Sequence, residues 1–322
     1  MSPDRRTRLP DARVQPRFGG LSTFGRYPTL SDADGRPDWA ILGVPFDGGV
    51  TYRPGARFGP RAIREQSQYL KHYSIEHGID VPGVLSLADA GDAPVLPYSV
   101  KKTLDGVIDH AAGLDADRLL VLGGDHSIVY AGMTAAWQRA GSPASGLACV
   151  HFDSHMDTLD SVWGERWNHA TPFRRLIEDG VLDPARMLSV GIKGPLNSGD
   201  DLEYAQAQGI EVITQPELAE RGPARLTEFA SDLAGAPCYV SFDIDCIDPA
   251  YAPGTGTPSV GGMTSADALG LIRRLRGLNL IGADVVEVLP DRDVAGNTAL
   301  LAAHIAFELL ALDAVRRDAE RG

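Results

Sequence analysis

The stretch His151-Phe-Asp-Ser-His-Met-Asp157 follows an apolar run, Leu147, Ala148, Cys149 and Val150. The run reads as a buried strand, and beyond it Asp153, His155 and Asp157 stand two residues apart. Residues two apart on an extended chain point to the same side. A strand ending here therefore aims two carboxylates and an imidazole into one space. So many ionisable groups together are costly to desolvate unless a cation neutralises them. Mixed Asp and His donors suit a divalent first-row metal. Taken alone, the stretch also reads as a solvated loop that carries charge.

Two distant segments repeat the chemistry. Val121-Leu-Gly-Gly-Asp-His-Ser127 is a strand tail that breaks at Gly123 and Gly124 and delivers His126. Ser241-Phe-Asp-Ile-Asp-Cys-Ile-Asp-Pro249 places Asp243 and Asp245 on one strand face, while Asp248 before Pro249 is turn chemistry. Two histidines and four aspartates are too many for one zinc. They suit a pair of ions, roughly 3.5–4 Å apart, that share bridging carboxylates and clamp a hydroxide as nucleophile.

Around these motifs apolar runs and amphipathic stretches alternate. Strands are expected at 39–44, 85–88, 119–122, 147–152, 187–192, 210–213, 238–243 and 280–288. Helices are expected at about 62–73, 99–112, 128–139, 172–179, 200–208, 223–234, 265–276 and 298–315. Such alternation predicts a single three-layer α/β/α domain over residues 38–322 around a mostly parallel sheet. Residues 1–37, polar and rich in arginine and proline, read as an N-terminal surface arm. Ligands of such sheets bind beyond the carboxyl ends of the strands, and all three motifs fall there.

Gly-Gly-Asp-His-Ser at 123–127, Asp-Ser-His-Met-Asp at 153–157 and Ser-Phe-Asp-Ile-Asp at 241–245 resemble the three signatures of the ureohydrolase family of arginases and agmatinases. The likeness is greatest to the agmatinase and guanidino-acid hydrolase branch. It extends to Arg53-Pro-Gly-Ala-Arg-Phe-Gly-Pro-Arg-Ala-Ile-Arg64 and to Ala252-Pro-Gly-Thr-Gly-Thr-Pro258. The resemblance implies the arginase fold, trimers or hexamers, and two divalent ions, Mn by family norm, with Ni, Co or Zn compatible with the donor set. It implies that His126 and Asp157 hold one ion, that His155 and Asp245 hold the other, and that Asp153 and Asp243 bridge them. The implied reaction is hydrolysis of a guanidino compound to urea and an amine by a metal-bridging hydroxide, with Asp157 carrying the proton. Glu287 matches the glutamate that pairs with the guanidinium, and His169 the loop histidine that assists proton transfer. Two departures stand out: Ala170 follows His169 where glycine is usual, and Leu289-Pro-Asp-Arg-Asp293 places Arg292 where an aromatic is common.

Substrate choice is expected in loops 50–53, 159–168 and 193–201. Trp163 and Trp167 read there either as walls for an alkyl chain or as packing, and Arg292 either as a carboxylate partner or as a solvated residue. Agmatine is the default substrate. Guanidinobutyrate, guanidinopropionate and guanidine are rivals, as is a specialised biosynthetic intermediate. A regulatory pseudoenzyme subunit and a single-zinc deacetylase of the wider superfamily are the readings from other classes. Full retention of the ligand set argues against both.

The remaining features set the context. A net charge of −13, from 43 acidic and 30 basic residues, disfavours nucleic acid and anionic membranes and tolerates a cationic substrate. Cys149, Cys238 and Cys246 are an odd set in strand-like positions, which reads as free thiols in a reducing compartment. Neither an apolar leader nor a membrane-length apolar run is evident in the sequence, so a cytoplasmic protein is expected.

Overall fold

The computed structural model describes residues 6–321. Eight parallel strands form the central sheet: β1 (Trp39–Val44), β2 (Leu87–Asp92), β3 (Arg118–Gly123), β4 (Leu147–Phe152), β5 (Leu182–Ile192), β6 (Glu211–Thr214), β7 (Pro237–Asp243) and β8 (Asn279–Val286). Their spatial order is β2-β1-β3-β8-β7-β4-β5-β6. Parallel strands covered on both faces need near-continuous apolar runs, and β1 and β4 are buried at every position.

Successive side chains along each strand feed two separate cores. Ile41, Leu120, Val150, Val240 and Val285 pack with helices α1 (Gly59–Ser67), α7 (Ala224–Asp232), α8 (Ser265–Arg273) and α9 (Asn297–Arg321). Leu42, Val121, Cys149, Tyr239 and Val286 pack on the opposite face with α2 (Val100–Ala112), α3 (Val129–Arg139), α4 (Pro172–Glu178) and Ala205 of α5 (Asp200–Gln208). The expected three-layer α/β/α architecture is what the chain forms. Helix α9 is long and apolar enough to cross a membrane by length and composition, but 83% of its apolar window is buried inside the fold. It is the core helix of the first layer.

Several element boundaries differ from expectation for local reasons. Asp89-Ala-Gly-Asp92, expected as the turn after a short strand, continues β2. Arg64 makes this possible by pairing with both Asp89 and Asp92. Strand β5 starts at Leu182, five residues before the apolar run that marks it in sequence. Helix α6 (Gln215–Arg221) was not expected. Pro216 lies in its first turn, and Thr214 and Glu217 close it with a reciprocal capping box. Within the stretch read as a surface arm, Phe24 and Tyr27 are fully buried. The Phe24 amide donates to Asp89 at 2.7 Å, which ties this stretch to the edge strand β2.

The strand order decides where the chemistry lies. The central run β3-β8-β7-β4 sets side by side four carboxyl ends that come from distant parts of the sequence. Where β3 leaves the sheet, the chain passes against the segment that follows β1. A Cβ on Gly124 would lie 1.8 Å from the Phe46 carbonyl oxygen and 2.8 Å from that of Val44. Both contacts are backbone, so neither can yield cheaply. Gly124→Ala is expected to lower the free energy of unfolding by about 3 kcal/mol, seen as a lower urea midpoint with an unchanged m-value.

Candidate metal centre and active site

Each of the four strand ends delivers its polar residues by a short turn. After β3, Asp125 caps a single 3-10 turn (His126–Ile128) by accepting from the Ser127 amide at 2.9 Å, and His126 opens that turn. After β7, Asp243 caps another 3-10 turn (Ile244–Cys246) by accepting from the Asp245 amide at 2.8 Å. After β4, Asp153 Oδ1 accepts from the His155 amide at 2.6 Å. Asp245 Oδ1 accepts from the Ser154 amide at 3.1 Å, which links the β4 and β7 loops.

The ligand loop therefore lies past the end of β4, which stops at Phe152. It is not the pleat that gathers Asp153, His155 and Asp157, as the alternation suggested, but this turn together with a left-handed backbone at Asp157, φ 51°. Short polar residues are the non-glycine types that best tolerate that conformation.

With one oxygen fixed to an amide, Asp153, Asp243 and Asp245 turn the other inward, where Asp157 joins them. His126 Nδ1 lies 3.0 Å from Asp153 Oδ2, 2.8 Å from Asp157 Oδ2 and 3.4 Å from Asp243 Oδ2. His155 Nδ1 lies 3.3 Å from Asp153 Oδ1 and 3.1 Å from Asp245 Oδ2. All six sequence candidates, His126, Asp153, His155, Asp157, Asp243 and Asp245, thus meet in one cluster. Asp153 touches both imidazoles. His155 stands at the exposed rim, and the other five are buried.

Burial and crowding shape the charges. Burial pushes the Asp243 carboxyl well above its ordinary pKa, reinforced by Asp245 and Asp153. Asp157 is raised by burial and by Asp153. Burial also opposes ionisation of Asp153, but His126, His151 and His155 outweigh it and hold this carboxyl well below its usual range. His126 Nδ1, fully buried among these oxygens, makes no hydrogen bond of acceptable geometry among the described residues. A buried ring nitrogen facing several carboxylate oxygens is an arrangement in which a divalent cation can replace the ring proton. Two overlapping groups have ligating atoms close enough to share an ion: His126 with His151 and Asp153, and Asp153 with His155 and Asp245.

Glu287 closes the cluster from the end of β8, in a left-handed backbone with φ 64°. Its Oε1 accepts from the His126 amide at 2.8 Å and stands 2.9 Å from His169 Nδ1. Its Oε2 is buried and has no partner among the described residues. His169 Nε2 lies 3.0 Å from the Thr51 amide. Burial depresses the His169 pKa, but Glu287 outweighs it and lifts it to about 9. The Thr51 hydroxyl lies nearer the same nitrogen, at 2.7 Å, and can accept its proton, which is the arrangement that suits the charged ring.

A cavity of about 250 Å³ opens onto the cluster, lined among others by Thr51, His155, Asp157, His169, Asp201 and Asp243. The arginase family profile matches residues 37–311. The chain belongs to that family. It is 45% identical over 309 residues to a guanidinopropionase of Pseudomonas aeruginosa, covering 94% of each chain. It is 40% identical over 304 residues to a mitochondrial agmatinase of Gallus gallus, covering 94% of this chain and 88% of that one. The structure of proclavaminate amidinohydrolase from Streptomyces clavuligerus superposes with a TM-score of 0.88 at 38% identity, covering 94% of this chain and 100% of that one. Membership fixes the protein as a ureohydrolase of the agmatinase and guanidino-acid hydrolase branch.

The structure also shows what sequence reasoning overlooked in this family member. His151 Nε2 lies 2.9 Å from Asp153 Oδ2. It shares the two-residue spacing that marked Asp153, His155 and Asp157, so the signal was present. The buried Lys193 ammonium donates to the Ser154 hydroxyl, to the Asp245 carbonyl at 3.0 Å and to the Cys246 carbonyl at 3.4 Å. No local pattern marks such a contact, because Lys193 follows β5.

Of the four expected substrate contacts, Glu287 is buried and does not line this cavity, and the other three lie away from it. Trp163 is 82% exposed at the tip of a tight turn and Trp167 packs edge-on against Tyr130, both lining a neighbouring cavity. Arg292 lies exposed in a 3-10 turn (Pro290–Arg292). Ala170 has no positive φ, so a side chain in place of glycine strains nothing there. Lys193→Met would leave the Asp245 and Cys246 carbonyls without this donor. A loss of about 2 kcal/mol in unfolding free energy is expected, measured by denaturant melts of the metal-stripped protein.

Proposed function

We propose that this chain hydrolyses a small guanidino compound to urea and an amine at a centre of two divalent ions, Mn first among the candidates and Ni next. His126 and Asp157 would hold one ion, His155 and Asp245 the other, and Asp153 and Asp243 would bridge them. The observation that carries this reading is the convergence of two imidazoles and four carboxylates around a buried, unpartnered nitrogen. Bound divalent ions acidify water, which supplies a hydroxide nucleophile near neutral pH.

The protein's own groups do the rest. The free Oε2 of Glu287 receives the N–H edge of the guanidinium, a charge-assisted contact that orients the central carbon. The His169 ring and the His126 amide hold Oε1, which leaves Oε2 as the oxygen available to a substrate. Asp157 takes the proton released as the C–O bond forms and returns it to the amine nitrogen as the C–N bond breaks. Its burial beside Asp153, which raises its pKa, suits a carboxyl that accepts and donates.

Agmatine is the first choice of substrate. Asp201 lines the cavity mouth, and neither lysine nor arginine is among the lining residues, which favours a second cation on the substrate tail. A guanidino acid is the second reading, favoured by the 45% identity to a guanidinopropionase. Urea release from agmatine, guanidinopropionate, guanidinobutyrate, guanidine and arginine, with Mn- and Ni-loaded protein, tests both. Turnover confined to the guanidino acids would overturn agmatine, and silence on all five with two ions bound would overturn the substrate class.

Asp153→Asn removes the carboxylate that touches both imidazoles. Loss of both ions is expected, measured as metal per chain after dialysis. Glu287→Ala is expected to keep both ions and to lower kcat/KM by roughly a hundredfold or more, because it deletes a buried charged partner of the substrate.

A further inference from the structure

A buried polar string leads away from the cluster into the sheet. His126 Nε2 stands 2.9 Å from Ser241 Oγ, and the Ser241 hydroxyl donates to Asp284 Oδ1 at 2.7 Å. A hydroxyl has one proton. Since Ser241 gives it to the carboxylate, its oxygen receives the ring proton, so Nε2 is the donor toward Ser241 and Nδ1 is the nitrogen left for an ion. That Nδ1 faces Asp153, Asp157 and Asp243.

Ser241 and Asp284 are register partners on the adjacent central strands β7 and β8, and both are completely buried. Asp284 interrupts the apolar run of β8; burial raises its pKa, and the Ser241 and Tyr239 hydroxyls and the Phe242 amide oppose that rise. Taking a carboxylate into the middle of a sheet costs desolvation. Backbone pairing gives no reason for an acid at this place.

We infer that Asp284, acting through Ser241, is a positioning residue for the ion held by His126. It fixes the imidazole in the form that presents Nδ1, and its charge makes that nitrogen a stronger donor, at the expense of the metal-free protein's stability. This inference rests on the ligand arrangement proposed above.

The test uses metal-stripped full chain titrated with Mn, reading bound ions per chain and, separately, the melting temperature before metal is added. Wild type should bind two ions. Asp284→Asn should weaken one of them roughly 10- to 100-fold, while its stripped form melts at the wild-type temperature or higher. Ser241→Ala should weaken the same ion, and Ser241→Thr, which keeps the hydroxyl, should restore it. Unchanged affinity in Asp284→Asn and Ser241→Ala would overturn the inference. So would a stripped Asp284→Asn protein that melts well below wild type, because the carboxylate would then be structural. Wild-type protein that takes up no metal would overturn the ligand arrangement itself, and the inference with it.

Discussion

Four carboxylates share the buried end of this sheet, and their mutual repulsion is the constraint around which the rest is arranged. Three imidazoles reach Asp153 and hold it ionised, but Asp157 and Asp243 are driven toward their protonated forms. Hydrogen bonds within the protein therefore satisfy part of the cluster and cannot satisfy all of it. A pair of divalent ions would carry the missing positive charge, and it would acidify bound water.

The fold meets this constraint before any ion arrives. Asp153, Asp243 and Asp245 each give one oxygen to a turn amide. Those hydrogen bonds hold the remaining oxygens toward the centre without further ordering of the side chains. Unfavourable backbone occurs at the same place: Asp157 and Glu287 adopt left-handed conformations at the two ends of the site. Strain of this kind persists only where surrounding contacts over-determine it. The Glu287 amide bonded to the Gly124 carbonyl at 2.9 Å, and Glu287 Oε1 bonded to the His126 amide, are such contacts.

The alternation of apolar strands and amphipathic helices is local, and so the layers and most elements were legible from the sequence. Helix α6 and the start of β5 were not, because a capping box and pairing to a neighbour mark them in place of an apolar run. The ligand motifs were legible because each is a short cluster of rare chemistry. Their mutual placement was not, since β3, β8, β7 and β4 are adjacent in the sheet but not in the chain. The same limit hid Lys193 and the Ser241–Asp284 pair, whose roles arise only across strands. The tryptophans read in sequence either as pocket walls or as packing, and the turn that closes between Val162 and Glu165 carries Trp163 outward.

This division bears on how such a scaffold changes its substrate. The metal cluster and Glu287 rest on four sheet strands and on turns tied to one another, so a change at one ligand is felt at several. The outer wall of the cavity is different. Pro195, Leu196, Asn197 and Asp201 come from the connection between β5 and the start of α5, none of them a partner of a ligand carboxylate. Side chains there can vary without disturbing the turns that aim the metal donors. In the proposed arrangement the guanidinium end of the substrate would be read by a rigid element, and the tail by a segment free to differ. Relatives 45% and 40% identical to this chain, one named for guanidinopropionate and one for agmatine, are what that separation allows.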